Sequence, residues 1–216
     1  MGLEALTFDF WGTLYQNTYA RSERLTLLDA ALVRHGQQQT WEMLDAAYSH
    51  AGSVWEQVWR EEQRSIKIER WLEELLGYLD VELPASAERA LGRAMQEVYL
   101  QGNEPRPVSG VREVLSRLAG RFQLGVISDT GLTPGWVLRQ TMQRDKLFAY
   151  FNALTFSDEL GMAKPRPELF LRTLRLLNAR PEQAAHIGDL PETDLRGARQ
   201  VGMKAILFLG VSHRED

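Results

Sequence analysis

The chain has 216 residues and a formal net charge of −4, with 44% hydrophobic and 25% charged residues, a balance that leaves enough apolar surface to bury a core. No basic block is present to neutralise a run of phosphates, cysteine is absent, and no apolar run approaches the ~20 residues that span a bilayer. Nucleic acid and membrane are therefore not expected as partners, disulfides and thiolate chemistry are excluded, and a small-molecule partner in the cytoplasm is the expectation.

In chain order, Leu3 to Phe10 is a short apolar run that stops at Gly12, as a buried strand does, with Asp9 at its far end. From about Tyr19 to Gln101 the pattern turns helical. Ile68, Trp71, Leu72, Leu75, Leu76 and Leu79 recur at offsets of three and four. Four helices fit, at about 18–35, 40–64, 67–79 and 85–101, broken near Gly36, Ser65 and Pro84. Trp41, Trp55, Trp59 and Trp71 lie in this insert, where they are expected mainly to fill the core of a small bundle, with one of them as an alternative pocket wall. Gln101 to Ser109, with Gly102, Pro105 and Pro107, reads as a linker.

Strand and helix signals then alternate. A helix is expected around Val111–Leu118, a strand at Gln123–Ile127, a helix at Gly135–Lys146 and a strand at Asn152–Phe156. A helix at Pro167–Leu177, a strand at Ala184–Ile187, a helix at Glu192–Val201 and a strand at Lys204–Leu209 follow. This alternation predicts an α/β fold, a Rossmann-like parallel sheet core with helices on both faces, plus an all-helical domain. The expected division is 1–16 and 105–216 for the core and 17–104 for the helical part.

In an open parallel sheet, ligands bind beyond the carboxyl ends of the strands, near the point where strand order reverses. The polar residues fall there. The first strand runs into Asp9-Phe10-Trp11-Gly12-Thr13, and a later one into Ser128-Asp129-Thr130. One loop carries Lys164-Pro165, and another strand ends in Gly188-Asp189 with Asp194 five residues on. Each has a plainer reading by itself: Asp189 before Pro191 suits a helix N-cap, and Asp194 a first-turn carboxylate. Four such sites on one edge are not explained that way. His186, on a predicted strand, reads as a packing histidine.

In these residues and their order the chain resembles the haloacid dehalogenase superfamily over essentially its whole length. Asp9 to Thr13 resembles that family's first motif, Ser128 its second, Lys164 with Pro165 its third, and Gly188-Asp189 through Asp194 its fourth. The resemblance implies that the helical insert is a cap closing over the substrate. It implies a hydrolase, most simply a phosphatase of a small phosphate ester, in which Asp9 forms an aspartyl-phosphate and Lys164 supplies a fixed positive charge. Mg²⁺ would be the cofactor, held by Asp9, the backbone carbonyl of Trp11 and Asp189, with Asp194 as ligand or support. Thr13, Ser128, Asp129 and backbone N–H groups around Gly12 would bind substrate.

One position departs from the family's phosphatase pattern, which places a second aspartate, the general acid, two residues after the nucleophile. Trp11 stands there. An indole N–H cannot transfer a proton near neutral pH, and losing a positioned general acid costs about 10²- to 10⁴-fold in rate. Three enzymatic readings follow from the resemblance. A phosphatase would use another acid, such as Glu159, Glu192 or one from the insert, or a substrate whose leaving group needs little protonation. A metal-free 2-haloacid dehalogenase also carries an aromatic residue there, although Asp189 with Asp194 argues for a metal. A phosphonatase would need a Schiff-base lysine, for which Lys67 is the one lysine of the insert. A non-catalytic phospho-ligand binder is the remaining alternative. Among Tyr19, Arg21, Trp55, Trp59 and Arg60, helical spacing leaves open which residues face the site.

Overall fold

The computed structural model describes residues 2–102 and 104–211. Five parallel strands form one sheet: β1 (Ala5–Phe8), β2 (Gln123–Ser128), β3 (Ala153–Phe156), β4 (Ala184–Gly188) and β5 (Lys204–Leu207), in the order β3-β2-β1-β4-β5. All four residues of β1 are buried, as befits a central strand covered on both faces. The chain builds the sheet outward from β1 through β2 to β3, then crosses back to place β4 on the other side. The strand order thus reverses between β1 and β4, and each of these strands is followed directly by an aspartate, Asp9 and Asp189.

The two faces bury separate layers. Leu6, Phe8, Leu124 and Val126 pack with Leu115 of α5 (Val111–Ala119) and with Leu138 and Met142 of α6 (Gly135–Arg144). On the opposite face Ala5, Ile127 and Ala184 meet Leu169, Phe170 and Leu174 of α8 (Pro167–Leu176) and Ala198 of α9 (Arg196–Gln200). Helices therefore cover both faces, as the alternation of strand and helix signals predicts. A four-residue helix, α7 (Ser157–Leu160), follows β3 and is too short to leave a periodic signal.

Between β1 and α5 lie α1 (Arg21–Arg34), α2 (Trp41–Gln57), α3 (Ile68–Leu79) and α4 (Ala85–Gln96), which pack around a layer of their own that includes Leu25, Leu28, Leu44, Trp71, Leu75 and Met95. Thr40 caps α2 by accepting from the Met43 N–H at 3.3 Å. Asp80, at φ 51°, ends α3 in the left-handed conformation that tolerates Asp. The expected helix at 40–64 is α2 continued by a wider turn of π type at Val58–Glu62, ending at Gln63 with φ 53°.

The tryptophan expectation needs correction. Of the four, Trp71 is fully buried in the bundle core, at 1% exposure, and Trp55 packs against that core half-buried, while Trp41 on the first turn of α2 is 49% exposed. Trp55 and Trp59, four residues apart and so on one face of the helix, stack at 5.5 Å and line a cavity facing the sheet edge.

Candidate active site

A cavity of about 450 Å³ opens between the helices and the carboxyl ends of the strands. Asp9, Trp11, Asp129, Lys164 and Asp189 line it on the sheet side, and Tyr48, Trp55, Trp59 and Tyr99 on the helical side. This size suits a small metabolite.

Strand β1 delivers Asp9, whose N–H still pairs with the Ile187 carbonyl of β4 at 2.9 Å. The chain then turns sharply. Leu14 and Tyr15 N–H groups return to the Phe10 carbonyl at 3.0 and 2.9 Å, and the Gly12 N–H donates to Tyr15 O at 2.7 Å. Of the backbone N–H groups around Gly12, its own is therefore engaged in closing the turn. Gly12 acts through its missing side chain, because at φ 68° a Cβ would collide with the Asp189 carboxylate. Gly188 has the same part on β4, where a Cβ would strike Asp194. The two glycines make room for the two acids.

Lys164, 3% exposed, is held between acids: Nζ donates to Asp9 Oδ1 at 2.7 Å and to Asp194 Oδ1 at 2.6 Å. Asp194 also meets His186 Nε2 at 3.1 Å through Oδ1 and accepts the Leu190 N–H at 3.0 Å through Oδ2. His186 Nδ1 in turn meets Thr7 Oγ1 at 2.8 Å. A chain of contacts thus runs from Thr7 through His186, Asp194 and Lys164 to Asp9. It rests on the β1–β4 register, which pairs Thr7 with His186. His186 does pack, edge-on to Phe170, but it also anchors Asp194.

Burial drives Asp9 up to about 8, with Lys164 opposing and Asp194 and Asp189 adding to the rise. Burial would raise Asp194 too, but Lys164 and His186 outweigh it and hold this carboxyl well below the usual range. Lys164 shifts upward because Asp194, Asp9 and Asp129 outweigh its desolvation. Burial lowers His186, with Asp194 opposing. Asp9, Asp189 and Asp194 bring carboxylate oxygens within 4.8 Å of one another. With all three ionised, Lys164 leaves the group net negative in a buried setting, so a divalent cation fits the donor set.

The other expected residues are placed less directly. Asp129 accepts the Trp59 indole N–H at 2.9 Å and the Lys164 backbone N–H at 3.0 Å, and burial raises its pKa. Ser128 Oγ, fully buried, donates to the Asp129 carbonyl at 3.1 Å instead of lining the cavity. Thr13 is buried behind the wall, and its hydroxyl has no hydrogen-bond partner among the described residues. Trp11 packs on Phe10 at 4.9 Å and Tyr99 at 5.9 Å, an aromatic wall where an acid was sought.

Neither substitute acid lines the cavity: Glu159 is paired with Arg139 and Glu192 is exposed. Lys67 is exposed at the start of α3, outside the cavity, which leaves a Schiff-base lysine without the buried setting it needs. Of the five insert residues left open by spacing, Tyr19, Trp55 and Trp59 line the cavity, whereas Arg21 pairs with Asp45 and Arg60 with Glu56. Sequence reasoning missed Arg24, a buried cavity residue whose signal was a charge within the α1 stripe of Leu25, Leu28 and Leu32.

Comparison with known proteins agrees with this geometry. Glyceraldehyde 3-phosphate phosphatase of Pyrococcus furiosus is 35% identical over 104 residues, 48% of this chain and 42% of that protein. Phosphoserine phosphatase of Thermus thermophilus is 32% identical over 130 residues, 58% of this chain and 49% of that protein. The matches thus span less than half the length of these two relatives. Among solved structures, a 2-haloacid dehalogenase from Pseudomonas syringae pv. Tomato DC3000 superposes with a TM-score of 0.68 at 25% identity, covering 99% of this chain and 90% of that one. A family model described as haloacid dehalogenase-like hydrolase matches residues 3–202. With that match over nearly the whole chain, and four acids and a lysine gathered where the strand order reverses, the protein belongs to the haloacid dehalogenase-like hydrolase family.

Proposed function

We propose that the protein is a magnesium-dependent phosphatase of a small phosphate ester, with Asp9 as nucleophile and the helical unit of 17–104 as its cap. The observation that carries this reading is the buried group of Asp9, Asp189 and Asp194 around Lys164. Such a group is costly for a fold to keep and is suited to a dianionic substrate bound with a cation. The two phosphatases above support it as relatives.

Asp9, Asp189 and the Trp11 carbonyl would hold the metal. Asp194, already engaged by Lys164, His186 and the Leu190 N–H, would support from behind. Bound there, magnesium would neutralise phosphoryl charge and favour the ionised form of Asp9. Lys164 holds Asp9 Oδ1, fixing the carboxylate for in-line attack on phosphorus, and stabilises the charge that develops on the phosphoryl oxygens. Asp9 attacks, the P–O bond to the leaving group breaks, and an aspartyl-phosphate forms on Asp9; water then hydrolyses it. Trp11, Trp55, Trp59 and Tyr99 exclude bulk water from this step. The indoles cannot protonate an alkoxide and the Tyr99 hydroxyl is donated to the Thr18 carbonyl, so leaving groups that depart as weak bases, aryl or acyl, are favoured.

The test is phosphate release from phenyl phosphate and 4-nitrophenyl phosphate with magnesium, in wild type and Asp9→Asn. Turnover that disappears in EDTA and in Asp9→Asn is expected. No phosphate release across an ester panel with magnesium would overturn the reading. Trp11 and the likeness to a 2-haloacid dehalogenase favour a second reading, metal-independent dehalogenation, for which halide release from 2-chloropropionate in EDTA would be the signature.

A further inference from the structure

Arg24 of α1 is 5% exposed and lines the same cavity as Asp9 and Lys164. Its Nε donates to the Met95 carbonyl at 3.1 Å and its Nη2 to Thr133 Oγ1 at 3.2 Å, and the guanidinium lies 5.5 Å from the centre of the Tyr99 ring. All of these partners are neutral. Among the described residues no carboxylate forms an ion pair with it. Elsewhere in the helical unit, Arg21, Arg60, Arg64, Arg70 and Arg93 each pair with an acid, and at more exposed positions. The arginine most in need of a counter-ion therefore lacks one.

A buried charge is stable only when compensated. Guanidinium carries five N–H donors in a planar fork that matches carboxylate or phosphate. The two bonds to Met95 and Thr133 fix the side chain between α4 and the loop after β2, with donors to spare. The cavity holds a second buried cation, Lys164, but its charge is already paired with Asp9 and Asp194 beside the reacting group.

We propose that Arg24 binds a second anionic group of the substrate, a carboxylate or a second phosphate, remote from the phosphoryl group that reacts at Asp9. This deepens, and rests on, the reading of the site as a phosphoryl-transfer centre. It makes the substrate a small molecule with an anion at each end, held across the aromatic walls, and makes Arg24 a residue that sets specificity.

Binding without turnover tests it. Trp11, Trp55 and Trp59 line the cavity, so tryptophan fluorescence reports occupancy. With magnesium present, the protein is titrated with carboxymethyl-, 2-carboxyethyl- and 3-carboxypropylphosphonate, each against the methyl-, ethyl- or propylphosphonate that lacks the carboxylate. A parallel series of alkane bisphosphonates separates carboxylate from phosphate. The charge-assisted bonds should favour one anionic series by about 10- to 100-fold. Arg24→Gln, which keeps donors for Met95 O and Thr133, should erase the preference while leaving ethylphosphonate affinity within about threefold. Arg24→Lys should restore part of it. Equal binding of both members of every pair, alongside intact phenyl phosphate turnover, overturns this inference alone. Equal weakening of both members in Arg24→Gln overturns it too, by making Arg24 a structural clasp. No binding of any phosphonate, together with no phosphate release, overturns both readings.

Discussion

In the helices between residues 21 and 96, most apolar side chains are inside and, Arg24 apart, the charges named in ion pairs are outside. Leu25, Leu28, Trp71 and Leu75 are buried, while Arg60–Glu56 and Arg70–Glu73 pairs stand on the surface. At the sheet edge the arrangement inverts: Asp9, Lys164, Asp189 and Asp194 are all nearly inaccessible and touch one another or stand within a few ångströms. The first region is held by area removed from water, which is favourable wherever it is placed. The second is held by pairing that must be nearly complete, because a buried charge left over is far more costly than a surface one. Groups kept in so unfavourable a setting point to chemistry rather than to stability.

Breaking the comparison from the charged side should have the largest effect. Lys164→Met leaves Asp194 without its main counter-charge, and a loss of about 3–5 kcal/mol is expected by denaturant unfolding, together with loss of phosphatase activity. Trp71→Ala, in the apolar layer, should cost a similar or somewhat smaller amount, about 3–5 kcal/mol. Its signature differs, since the part that remains folded should keep an unchanged KM for phenyl phosphate. His186→Phe removes a bond to Asp194 and one to Thr7 and leaves polar atoms buried; about 1–3 kcal/mol is expected, with a measurable drop in kcat because Asp194 positions Lys164. Arg70→Ala, at a surface pair, should change stability by about 0–1 kcal/mol and activity not at all. If Arg70→Ala and Lys164→Met proved equally mild, the contrast between the two regions would fail.

The two regions also differed in how far the sequence exposed them. Period and punctuation located the helices of the insert and the strands of the core to within a few residues. They also singled out Asp9 and Asp189 after recognisable strands and Lys164 before Pro165, residues that the structure brings together. What they missed is non-local. His186 reads as a packing residue until the β1–β4 register sets it beside Thr7 and Asp194. Trp59 reaches Asp129 across 70 positions of sequence, and the Gln63 carbonyl accepts the Ala163 N–H at 2.8 Å, contacts made only when helices meet sheet. The Gly12 N–H is engaged only because the turn closes on Tyr15, and Trp41 looked like core until its side chain fell on the outer face of α2.

On the proposed reading, the buried acids at the strand ends would form a cation site serving Asp9. Thermal unfolding of the wild type in EDTA and in rising magnesium tests it most directly. The account predicts an upward shift of the midpoint, about 5–10 °C at a hundredfold excess over the dissociation constant, and no such shift in Asp189→Asn. A wild-type midpoint that is the same in EDTA and in saturating magnesium would contradict it.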